Sequence, residues 1–128
     1  MYVGIAEADV SRRATRDHLQ RTRASTLRQT LASLLHEQLR LVPDATVERS
    51  HVKLVAKADE RLTKWMRANL RVAIVPQSSP KHLESLVVRL LDPPLNIDFR
   101  SGQPSAVALK EARGQLRARI MEQEPARR

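Results

Sequence analysis

The chain has 128 residues, 23 of them basic and 14 acidic, for a net charge of +9, and it contains no cysteine. This length fits one domain, and 41% apolar residues are enough for a single core and argue against disorder throughout. The lack of cysteine excludes disulfides, thiolate metal sites and cysteine nucleophiles together.

In chain order, Tyr2-Val3-Gly4-Ile5-Ala6 is a short β-prone run, followed by a polar stretch over residues 7–9. Residues 10–19 are basic and fit a short helix, with Arg12, Arg13 and Arg16 close together and Ala14, His18 and Leu19 available for an inner side. The clearest helix follows: Ser25 or Thr26 caps it, Leu27, Leu31, Leu34, Leu35 and Leu39 recur on one face, and Pro43 stops it. After a linker over residues 44–50, residues 51–55 alternate like a half-buried strand. Asp59 then caps a helix that runs to Leu70, with Leu62, Trp65, Met66 and Leu70 on its apolar side. Residues 71–75 are a second β-like run closed by Pro76.

Ser79-Pro80 marks a helix start, with Leu83, Leu86, Val87, Leu90 and Leu91 as the expected buried stripe, and Asp92-Pro93-Pro94 ends it. Leu95-Asn96-Ile97 reads as a short packed segment, and residues 105–121 as a last, basic helix with a frayed tail. The alternation of short strands with helices predicts a small α+β or α/β domain, with the helix beyond Gly102 as an appendix.

Eighteen of the 23 basic residues are arginine. The planar guanidinium fork matches phosphate oxygens in pairs, so a polyanionic partner is the first expectation, although a GC-rich genome produces the same bias. Only three aromatics, Tyr2, Trp65 and Phe99, are present, which argues against base-stacking platforms. No apolar run approaches the ~18 residues of a membrane span and no leader pattern opens the chain, so a cytoplasmic protein without membrane contact is expected.

Glycines at 4, 102 and 114 cannot build a dinucleotide or Walker loop. His18, His36, His51 and His82 fall on separate elements without zinc-site spacing, and no G-x-S-x-G occurs. One constellation remains: Tyr2 on a strand, an arginine cluster on the next element, Glu84 on a late helix, and Asn96 just after two prolines. Each member alone is weak and reads more readily as a surface or turn residue; their order and spacing carry the weight.

That order resembles the GIY-YIG nuclease superfamily, in a bacterial branch with a helical insertion after the first helix. Tyr2-Val3-Gly4 is similar to the YIG element, residues 10–13 to the L-x-x-R segment, and Leu83-Glu84 with Pro94-Leu95-Asn96 to the Glu and Asn elements. Residues 25–35, 62–67 and 71–75 also resemble that branch. The first strand, with its GIY tripeptide and its tyrosine, would lie before Met1; the chain is therefore expected to start one strand late, as a fragment or a misplaced start would, or to have shed part of its site, and to be inactive or weakly active as given. The family arginine falls on Arg13 when counted forward from Val10 and on Ala14 when counted back from His18, with Arg12 and Arg16 as alternates.

The resemblance implies an α+β fold, a small antiparallel sheet flanked by helices in residues 1–100 with an added C-terminal helix and tail in residues 101–128. It also implies metal-dependent hydrolysis of nucleic-acid phosphodiester bonds, most naturally of DNA, with Tyr2, Arg13, Glu84 and Asn96 as catalytic-site residues. Glu84 would be the ligand of Mg²⁺ or Mn²⁺, a type of ion that needs few protein ligands. Arg12, Arg16, His18, Arg21, Arg23 and Arg28 would contact the nucleic acid, with Arg113, Arg117 and Arg119 along the flanking backbone. Two other readings stay open: a noncatalytic basic nucleic-acid-binding module, and a basic helical protein that contacts acidic protein surfaces.

Overall fold

The computed structural model describes residues 1–6, 22, 25–44, 51–98, 100 and 102–122. Among these lie four helices: α1 (Thr26–Leu35), α2 (Ala56–Asn69), α3 (Pro80–Leu91) and α4 (Pro104–Glu122). The basic stretch over residues 10–19 lies outside the described residues.

Ser25 adopts extended backbone and its hydroxyl accepts from the Arg28 amide at 3.2 Å, capping α1 as its sequence position predicts. Leu27 and Leu31 turn inward from this helix. It ends at Leu35, earlier than the leucine spacing predicts; residues 36–40 continue as turns, with Arg40 at φ 48 and the Leu41 amide bonded to the His36 carbonyl. In α2, Ala58, Leu62 and Met66 are sealed on one face, with Trp65 at its margin. Proline opens α3 at its first position, where its missing N–H costs no helix bond, and Asp92 closes it in the left-handed region at φ 44 ahead of Pro93 and Pro94. The last helix, α4, packs along α1 and sends Leu116 and Ile120 into the core that Leu27, Leu31, Leu62 and Met66 build.

The expected antiparallel sheet is not formed: among the described residues there is no strand, and the structure is helical. The single bridge pairs Pro43 with Leu54, flanked by the Asp44 amide on the Lys53 carbonyl and the Val55 amide on the Val42 carbonyl. A β-prone run becomes a strand only where a second extended backbone lies alongside to take its N–H and C=O groups. Residues 51–55 have such a neighbour over one bridge only, residues 71–75 lie exposed, and residues 2–4 are met by a side chain, as described below. A second correction concerns α3. Of its expected stripe, Leu86, Leu90 and Leu91 are exposed, Leu90 by 82%, and the buried residue of the helix is Val88.

Candidate active site

The N-terminal segment is held by Asn96. The Val3 amide donates to Asn96 Oδ1 at 2.8 Å, and Asn96 Nδ2 donates to the Val3 carbonyl at 2.7 Å, across 93 residues of sequence. One primary amide thus replaces the backbone pair that a neighbouring strand would supply. The Leu95 amide adds a bond to the Met1 carbonyl at 3.2 Å. Asn96 is 6% exposed, so loss of these bonds would leave its own buried amide group unpaired.

Tyr2 lies over Gly4. A Cβ on Gly4 would stand 2.8 Å from Tyr2 Cε1 and 3.2 Å from the phenolic oxygen, so the absence of a side chain there makes room for the ring. The other side of Tyr2 leans on the core cluster that contains Leu116 and Ile120.

The turn bearing Asn96 is fixed in its own right by Arg100, which is 4% exposed. Arg100 Nη1 donates to the Asn96 carbonyl at 2.9 Å, its Nε to Asp92 at the end of α3, and its Nη2 to Ser105 in the first turn of α4. This hydrogen bond holds the exposed Asp92 carboxyl below its ordinary range, with the charge attraction of Arg100 adding to it. Arg100 therefore ties α3, the Asn96 turn and α4 together. No pattern in the sequence marks it, because a lone arginine among polar residues has no period to read.

Arg28, expected to contact nucleic acid, is instead sealed between α1 and α2, its side chain 0% exposed. All five N–H donors find acceptors: Nε reaches Thr22 Oγ1 at 3.2 Å, Nη1 reaches Thr63 Oγ1 and Met66 Sδ, and Nη2 reaches both the carbonyl and Oδ1 of Asp59 at 3.0 Å. Burial lowers its pKa, opposed by the hydrogen bond and charge of Asp59. Thr22 also donates to the same carboxylate.

The second arginine site lies on α4. Arg113 Nη2 donates to the Thr26 carbonyl at 2.7 Å and to Thr30 Oγ1 at 2.6 Å, binding α4 to α1. Its pKa is lowered by burial first and by the charge of Arg117 second, against the opposing influence of Asp98 and Tyr2. Farther along, Arg119 reaches His36 and Glu37 on the outer surface.

Tyr2 and Asn96 are thus brought together, and Glu84 sits half-buried on α3, the helix whose C-terminal cap Arg100 joins to the Asn96 turn. Arg12, Arg13, Arg16, His18, Arg21 and Arg23 lie outside the described residues. The pattern of the GIY-YIG catalytic domain matches residues 1–117.

The chain belongs to the GIY-YIG family. Membership brings nuclease-type phosphodiester hydrolysis on nucleic acid, a reaction that in GIY-YIG nucleases generally depends on a divalent metal. No curated protein and no solved structure matches the chain. The GIY-YIG match extends into α4, the helix that carries Arg113 and Arg117. Among the described residues no group of three or more His, Asp or Glu side chains converges. A hard cation such as Mg²⁺ does not require one, since it retains several waters and binds through one or two carboxylates plus phosphate oxygens. No helix among the described residues is long and apolar enough to cross a membrane.

Proposed function

We propose that this GIY-YIG domain is a Mg²⁺- or Mn²⁺-dependent endonuclease that acts on DNA in the cytoplasm. The observation that carries the reading is the reciprocal pair of bonds between Asn96 and Val3, which joins the two motif segments that lie farthest apart in sequence. A brace of this kind is what a catalytic phenol needs, since rate depends on holding reacting groups within a fraction of an ångström.

In this reading Asn96 fixes the backbone at Val3 and the Leu95 amide holds Met1, so the chain is tied on either side of Tyr2, and the bare face of Gly4 accommodates its ring. The phenol then orients the attacking water and passes on its proton. Arg13 places a permanent positive charge against the nonbridging oxygens as negative charge builds on them. Glu84 holds the cation, which when bound supplies charge neutralisation at the scissile phosphate and a more acidic water. Arg12, Arg16, His18, Arg21 and Arg23 contact the nucleic acid on either side of the site.

The test is cleavage of end-labelled DNA by the whole chain with Mg²⁺, compared with Glu84→Gln. The variant should lose cleavage by at least about 100-fold, the scale of a single preorganised charge contact, and retain binding in EDTA. Equal cleavage by the two proteins removes Glu84 from the mechanism. Salt-sensitive binding with no metal-dependent cleavage by the wild-type chain establishes the noncatalytic binding module instead.

A further inference from the structure

The inner face of α4 is built from Ala106, Leu109, Leu116 and Ile120, all buried. Arg113 takes the position between Leu109 and Leu116 on that face, where the three-and-four spacing calls for a hydrophobe. Arg117 follows one turn later, so two like charges stand side by side on one helix, an unfavourable arrangement by itself. The Nε of each residue is buried, and neither has a hydrogen-bond partner among the described residues. Both protons of Arg113 Nη2 are taken by Thr26 and Thr30, which leaves Nε and Nη1 to spare. Arg117 makes no hydrogen bond to any described residue.

Unpaired buried donors on two adjacent cations are costly, and an anion received between them removes both penalties at once. Tyr2 packs on the core cluster to which Leu116, the residue before Arg117, belongs. Among the described residues, Asp98 is the carboxylate whose charge acts on Arg113 against that of Arg117, one negative charge beside two positive ones.

We propose that Arg113 and Arg117 form a phosphate-binding subsite beside Tyr2, which takes a nucleic-acid phosphodiester next to the one cleaved. The subsite rests on the nuclease reading for its choice of polyanion, but not for its existence. It makes α4 part of the substrate-binding surface: Arg113 is held in place by α1 and Arg117 is the adaptable partner.

The experiment measures binding of a short fluorescein-labelled DNA duplex to the whole chain by anisotropy across a salt series, in EDTA so that nothing is cleaved. Arg117→Gln should weaken binding several-fold at low salt and reduce the slope of log K against log salt by about 0.9, the value for one phosphate contact. Arg117→Lys should keep the slope and lose part of the affinity. A folded Arg117→Gln protein with wild-type affinity and slope overturns the subsite. Should that variant not fold, the wild-type protein decides: inorganic pyrophosphate must raise its melting temperature above that in chloride of equal ionic strength, and no rise overturns the proposal. If pyrophosphate binds through Arg117 but the duplex does not bind, the ligand is a free phosphate and the nucleic-acid assignment fails. If the duplex binds with the full slope and Mg²⁺ produces no cleavage, the nuclease reading fails while the subsite stands.

Discussion

Helix α1 carries a buried arginine contact on each of two sides, and they are finished differently. Toward α2, Arg28 donates to Thr22, Thr63, Met66 and Asp59 until no proton is left over. Toward α4, Arg113 uses one nitrogen to hold Thr26 and Thr30, while its Nε and that of Arg117 are buried without acceptors among the described residues. The same side chain therefore serves two purposes. Where each donor is matched from within the fold, the guanidinium fastens two helices; where donors remain, the fold is built to receive an acceptor from outside. Burial alone does not separate the two cases, and only donor-by-donor accounting does.

The largest expected effect comes from opening the closed side. Arg28→Ala should lower the unfolding free energy by about 3–5 kcal/mol, because Asp59 and two threonines lose their shared partner at once. Urea denaturation followed by circular dichroism measures this, and a loss under about 1 kcal/mol would mean that the contact is not sealed in solution. On the open side, Arg113→Gln should cost about 1–2 kcal/mol, since two hydrogen bonds go but the repulsion from Arg117 goes with them. A cost equal to that of Arg28→Ala would erase the distinction between the two sides.

The smallest effect concerns Arg100, another buried arginine with several acceptors. Its partner Asp92 has a depressed pKa in the folded state, so the carboxylate stabilises the fold above its ordinary pKa of 3.8, and that contribution fades as pH falls through the folded value. A wild-type protein melted across acid pH should therefore lose slightly more stability than Asp92→Asn. Parallel curves would show that the exposed carboxylate contributes nothing measurable.

Much of this arrangement is legible in the sequence, for reasons that differ by element. The start of α1 at Ser25 and of α3 at Ser79-Pro80 follow from local chemistry, since a capping hydroxyl or a proline at the first turn acts within three residues. The Glu-to-Asn spacing and the Tyr2-Val3-Gly4 run pointed to the family because motifs preserve residue types in order. The sheet is not legible, because extended runs reveal their propensity but not their neighbour: Val3 meets an asparagine amide in place of a strand. The exposure of α3 is hidden for a related cause, as amphipathic spacing says which side of a helix is apolar and not whether anything covers it. Arg28 and Arg113 are both arginines in a leucine-rich pattern, and nothing in the local sequence distinguishes the sealed one from the open one.

Residues 71–76 carry one more consequence. Val72, Ile74 and Val75 are 70%, 56% and 73% exposed, a combination of β propensity and apolar surface that favours association between chains. The run is bracketed, however, by Arg71 on one side and Pro76 on the other. A charge resists stacking of identical copies in register, and a proline lacks the N–H that would extend a ladder beyond it. These two residues act as gatekeepers, limiting the length of any intermolecular strand pairing to the short stretch between them.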